Sequence, residues 1–235
     1  MHRSVKQTLN EIWTKAGPVE SPSLTAGELH SIEERHQVVI ADPAPLGLFG
    51  FGLGTIVLGF VLSGIVSTPS FIGAVPAVLI FAGGAQFVAG LFALARGNTF
   101  AATAFGSNGA NNALIAVFIW MKALGVIPAA NSDNDLLLGV GLLCMGYISM
   151  VLGFAAIRIN PTFLALVWAL VPGYVLPGLQ YMGLSPALGH AGGYFLFVAA
   201  LIAFYAGTAI VINSTHQRNL ITLGSFPRDV TSPKG

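Results

Sequence analysis

Charge is what this sequence has least of. Only 19 of its 235 residues are Lys, Arg, Asp or Glu, or 8%, against roughly a quarter in an ordinary soluble domain, so a water-soluble globule is excluded. Ten basic and nine acidic residues leave neither a basic footprint nor an acidic tail, and no nucleic-acid partner is expected. Cysteine is nearly absent: the single Cys144 excludes a disulfide framework within the chain and a thiolate metal cluster. The histidines, His2, His30, His36, His190 and His216, are scattered, so no pair stands at metal-ligand spacing in the apolar region. No metal and no other cofactor is expected. A Ser-His-Asp arrangement would have to borrow His190 with Asp133 or Asp135, and no glycine-flanked serine marks a nucleophile. The expectation is therefore not an enzyme, with no catalytic residue to assign.

What the chain has in abundance is apolar sequence, 54% of its residues. Five charges, Arg96, Lys122, Asp133, Asp135 and Arg158, fall within residues 46–213, and the other fourteen lie outside that stretch. A hydrocarbon core of about 30 Å takes about 20 apolar residues as helix. The charge-free runs and their Gly, Pro and Asn breaks give six such spans, at roughly 46–67, 71–95, 103–124, 136–157, 162–180 and 188–213. The short alternating segments of a membrane barrel are absent. The fold class is all-α, a polytopic protein of the lipid bilayer with six transmembrane helices in each protomer. Short connections favour antiparallel packing of sequence neighbours.

Arg96 and Arg158 lie in loops on the same side as the basic residues of both tails, Arg3, Lys6, Lys15, Arg35, Arg218 and Arg228. The positive-inside rule then puts both termini in the cytoplasm, with Lys122 snorkelling outward on the other side. Residues 1–41 read as a polar cytoplasmic extension without the apolar core of a signal peptide, 42–213 as the six-helix transmembrane domain, and 214–235 as a cytoplasmic tail, disordered or loosely docked. In the extension, Thr25 and Glu28 have the spacing of a capping box for a short helix. Glycine is frequent, at 29 residues, and inside membrane spans its usual work is to let helix backbones approach closely.

The strongest local pattern opens the first span: Asp42, Pro43, Ala44, Pro45, Leu46, Gly47 and Leu48. Two prolines one residue apart break a regular helix, so Pro45 belongs near the first helical turn and Asp42 before it. A broken helix start at the membrane is one way to present free N–H groups to an anion. The alternative is a rigid start to the span and nothing more. This segment resembles the Asn-Pro-Ala-Pro-Leu-Gly-Leu signature of the acetate uptake transporter family, the succinate-acetate permease group, with Asp42 in place of the usual Asn. Gly83-Gly84-Ala85-Gln86, Arg96-Gly97-Asn98-Thr99-Phe100 and His190-Ala191-Gly192-Gly193-Tyr194 resemble later segments of that family in the same order.

The resemblance implies a membrane transporter or channel for small monocarboxylates, acetate first, working as a homohexamer with one pathway per protomer. It also implies a constriction of three large side chains. Two map onto Phe51 and Leu170. The third, usually a Tyr in span three, is Asn108 here. Around it stand Thr103, Ser107, Asn111 and Asn112, and span two carries the isolated amide Gln86. Asn108 and Asn112 are four residues apart and share a helix face. Amides at membrane depth are costly unless they face water or each other, which leaves a stripe lining a pathway or glue between helices. By resemblance, Ala203 and Tyr205 on span six lie near the constriction. A channel for small neutral solutes such as urea or short amides would use the same amides. A membrane sensor or scaffold is the weaker reading, because the extension has little apolar surface for a partner. No Asp or Glu lies inside a span to relay a proton, and His190 is the single titratable candidate, near the outer surface.

Overall fold

A computed structural model describes residue 14 and residues 40–66, 68–128 and 132–226. The chain divides into a unit Met1–Ile40 and a unit Ala41–Gly235. Of the first, only Thr14, helical and exposed, and Ile40 are described. The capping-box segment at Thr25 and Glu28 and the end of the tail from residue 227 lie outside the described residues.

The described residues of the second unit form helices joined by short turns and followed by a non-helical tail. Helix α1 is Ala44–Leu62. A 3-10 stretch Thr68–Ala74 leads into α2, built from an α-helical turn Val75–Ala77, a π-helical segment Val78–Ala85 and an α-helix Gln86–Ala95. Then follow α3 (Thr99–Ala123), α4 (Ser132–Ala156), α5 (Pro161–Tyr181) and α6 (Pro186–His216). Among the described residues, the segments in α1, α2, α4, α5 and α6 are long and apolar enough to cross a membrane. Helix α3 is equally long at 25 residues, about 37 Å at 1.5 Å per residue. Its three amides, Asn108, Asn111 and Asn112, dilute its hydropathy.

The boundaries have local causes. Asn98 Oδ1 accepts the Ala101 N–H at 3.0 Å and Asn160 Oδ1 accepts that of Phe163 at 2.8 Å, so α3 and α5 start at side-chain caps. α3 therefore begins four residues before the expected 103. Helix α1 stops at Leu62 rather than 67 because Gly64 takes φ +76°, the left-handed conformation that ends a helix. Two prolines, Pro172 and Pro177, lie inside α5.

Helices α4, α5, α6 and α1 pack in succession, with α1 and α6 each other's neighbours although far apart in sequence; α1 also packs on α2, and α2 on α3. Helix α3 meets α4 only slightly, where Lys122 pairs with Asp135 and sits 5.1 Å from the Phe118 ring centroid. Lys122 is thus paired, where simple snorkelling was expected. Glycines set the closest approaches. A Cβ on Gly193 of α6 would stand 2.4 Å from the Ser63 backbone nitrogen at the end of α1, and one on Gly90 of α2 would stand 2.6 Å from that of Gly106 in α3.

The described part of the tail is docked. Asn213 Oδ1 accepts the N–H groups of Leu220 and Ile221 at 2.7 and 2.9 Å, and its Nδ2 donates to the Ile221 carbonyl at 2.7 Å. The hydroxyls of Thr162 and Tyr205 donate to the Leu223 and Thr222 carbonyls at 2.8 and 2.5 Å.

Gly193→Ala places a methyl against backbone and should destabilise the protein by about 1–3 kcal/mol. Gly141→Ala, in α4 with open space around the position, should be neutral or stabilising. Thermal unfolding in detergent separates the two; equal shifts would mean that the α1–α6 approach is not tight.

Candidate functional site

Three cavities succeed one another along α1, α3 and α5. The first, about 450 Å³, is lined by residues from the first halves of these helices: Asp42, Leu48 and Phe51, then Asn98 and Asn108, then Phe163 and Leu170. The second holds only about 20 Å³ and is lined further along the same helices, by Leu58, Ile115 and Tyr174 among others. The third, about 820 Å³, opens at the far ends of the helices, with Lys122, Gln180 and His190 on its wall. The middle one has room for about one water. It shares Val61, Leu62, Ile119 and Tyr181 with the third cavity and no lining residue with the first.

The structure brings Phe51, Asn108 and Leu170 to one wall of the first cavity, with Gln86 beside them. They come from four helices and are 2–4% exposed. Asp42, Ala44 and Leu48 line the same cavity. Ala44 is the first residue of α1, Pro45 lies in its first turn, and Asp42 Oδ1 accepts the Ala44 N–H at 3.0 Å. The remaining members of the opening segment are structural. Pro43 is buried, Leu46 is exposed, and Gly47 lies where a Cβ would be 2.8 Å from the Phe105 ring.

The buried amides are partnered across helices. Asn108 Nδ2 donates to the Ala104 carbonyl one turn earlier at 2.8 Å, and its Oδ1 accepts the Tyr174 hydroxyl at 2.5 Å. Asn112 Nδ2 donates to Gln86 Oε1 at 3.3 Å, so the Nε2 of Gln86, a residue of the cavity lining, is not taken up by Asn112. Asn111 is 8% exposed, its Nδ2 has no hydrogen-bond partner, and it lies beside the Tyr174 phenol. An unpaired buried amide donor costs about 1–3 kcal/mol.

Several expected lining residues are elsewhere. Asn111 and Asn112 line none of the three cavities, and Asn112 joins α3 to α2 through Gln86. Thr103 faces outward, and its carbonyl accepts the Ser107 hydroxyl at 2.6 Å. Ala203 is fully buried in the α6 packing, without a place on any of the three cavity walls. Tyr205 is 45% exposed and holds the tail. The physical reason is helical phase: residues 203 and 205 are two apart and point about 200° away from each other, so they cannot both face one pathway. Tyr174 is the residue that sequence reasoning missed. Its position four after Leu170, on the same face of α5, was the available signal.

A bundle of membrane-length helices around interior cavities, one of about 450 Å³ with the buried amides Gln86 and Asn108 in its lining, defines a polytopic membrane protein with a solute-sized interior. The family model described as the GPR1/FUN34/yaaH family matches residues 24–228, and the chain belongs to that family. It is 30% identical over 192 residues to the succinate-acetate/proton symporter SatP of Escherichia coli K12, covering 79% of this chain and 96% of that one. To acetate permease A of Emericella nidulans it is 29% identical over 215 residues, covering 86% and 70% respectively. The solved structure of the bacterial acetate channel SatP superimposes with a TM-score of 0.71 at 27% identity, over 79% of this chain and all of that one.

Proposed function

We propose that this protein carries small monocarboxylates, acetate first, across the cell membrane through the line of three cavities, by permeation and without a catalytic step. The observation that carries the proposal is the convergence of Phe51, Asn108 and Leu170, from three helices, on the inner wall of one cavity of about 450 Å³. Acetate has the size for this space: a two-carbon acid presents one methyl to Phe51 and Leu170 and one carboxylate to the amides. Losing water costs a carboxylate several kcal/mol, and donors fixed in the wall offset part of this. Gln86 Nε2 is such a donor. The wide cavity at the α1 start faces the cytoplasm in this reading, with both termini on that side, and the assembly is a homohexamer with one pathway per protomer.

Asp42 is the one charged side chain among the described residues lining the first cavity. A carboxylate there repels an approaching anion, and no basic side chain in that lining offsets it. The same feature favours the second reading, a pore for small neutral solutes. Flux into liposomes containing the purified protein, run with acetate and with urea at two pH values, separates them: acetate flux well above urea is expected, and urea flux without acetate flux overturns the proposal.

Two substitutions refine it. Leu170→Ala should widen the wall and raise lactate flux relative to acetate by about tenfold; an unchanged ratio in a normally folded variant removes Leu170 from the filter. Asp42→Asn should raise the initial acetate rate about two- to fivefold at low ionic strength, and the gain should vanish in high salt, where the charge is screened. A gain that survives high salt would show that Asp42 acts through helix α1 rather than through its charge.

A further inference from the structure

At the position where the resembled family carries a phenol on span three, this chain has an amide, yet a phenol stands at the same depth. Tyr174 of α5 is 2% exposed, and its hydroxyl donates to Asn108 Oδ1 at 2.5 Å. Asn108 lines the first cavity and Tyr174 the middle one, so this hydrogen bond stands between two cavities that share no lining residue. The bond also settles which group is donor. Asn108 Nδ2 is occupied by the Ala104 carbonyl at 2.8 Å, so Oδ1 is left as the acceptor for the phenol. Asn111, with its unpartnered Nδ2, lies beside the same hydroxyl.

We infer that Tyr174 supplies the phenol of the filter in place of residue 108, and that its hydroxyl passes from Asn108 to the carboxylate of the permeating acid as the acid crosses. Tyr174 is thereby a specificity-determining residue, and Asn108 the acceptor that holds it between passages. A phenol released by a carbonyl oxygen gains a stronger bond when the incoming acceptor is ionised, because charge-assisted hydrogen bonds are roughly twice as strong as neutral ones. The arrangement therefore favours a carboxylate over its neutral amide of equal size. It also leaves space for a single phenol. With Asn108 and Tyr174 both 2% exposed and in hydrogen-bond contact, a second ring at residue 108 has to displace the first.

The inference rests on the permeation reading, and the test keeps the two apart. Liposomes containing wild type, Tyr174→Phe, Asn108→Tyr or the double variant Asn108→Tyr/Tyr174→Leu are assayed for acetate and acetamide flux. Tyr174→Phe keeps the ring and removes the donor, and should lower the acetate-to-acetamide ratio about fivefold. Asn108→Tyr should cut acetate flux at least about tenfold by crowding. The double variant, which takes the ring away from residue 174 and puts the one phenol on α3, should recover to within about threefold of wild type. A ring that only packs would leave the ratio unmoved in Tyr174→Phe. That result, or a double variant no better than Asn108→Tyr alone, overturns the inference while acetate flux through wild type upholds the function. An Asn108→Tyr protein that does not fold leaves the Tyr174→Phe ratio to decide. Absence of acetate flux through wild type overturns both.

Discussion

In a hydrocarbon layer a polar side chain must find its partners inside the protein, and α3 brings three amides to that depth within five residues, Asn108, Asn111 and Asn112. The helices around α3 are arranged to meet them. Helix α2 supplies Gln86 to Asn112, and α5 supplies Tyr174 to Asn108. These contacts fasten α3 to the bundle at mid-depth, while its contact with α4 is slight and is marked by the Lys122–Asp135 pair. The first cavity lies in the space this leaves among α1, α3 and α5. One member of each polar pair, Gln86 and Asn108, lines it, and glycines set the close approaches of α1 to α6 and of α2 to α3.

The order of the cavities follows from the same fastening. The wide space near the start of α1 ends where the amide and the phenol meet, and the middle space holds about 20 Å³ before the outer one opens to about 820 Å³. A solute moving along this line exchanges its own water for fixed donors at one short stretch. No Asp or Glu of the described helices lines that stretch. Asp42 sits at the mouth and not at the filter, where its effect on an anion is electrostatic and sensitive to salt.

Much of the fold was legible in the sequence because membrane spans are written in composition. The scarcity of charge between residues 46 and 213 gave the six helices, and the Asn98 cap explains why α3 starts four residues before the expected position. The convergence of Phe51, Asn108 and Leu170 was legible only through resemblance, since periodicity places a residue on a helix face and says nothing of which helices face each other. For that reason Tyr205 and Ala203 were expected near the filter and lie elsewhere, one holding the tail and the other in α6 packing. Tyr174 went unread because its place four residues after Leu170 gives a shared helix face but not the residue it meets across the bundle. Its role depends on Asn108, 66 residues away, and the pair becomes visible when α3 and α5 are set side by side. The docked tail escaped for a similar reason: residues 217–226 are held through side chains of α5 and α6, Thr162, Tyr205 and Asn213, that carry no local signal of a partner.

The central claim is that the Asn108–Tyr174 contact is the barrier between two water-filled spaces on opposite sides of the membrane. Cysteine accessibility measures this directly. In a background with Cys144, which is exposed, replaced by Ser, single cysteines at Leu166 in the first cavity and at Ile119 beyond the barrier are offered a membrane-impermeant thiol reagent from one side at a time. The account predicts that Leu166→Cys reacts only from the α1-start side and Ile119→Cys only from the other. Reaction of both from the same side, or of either from both sides at equal rate, would contradict it.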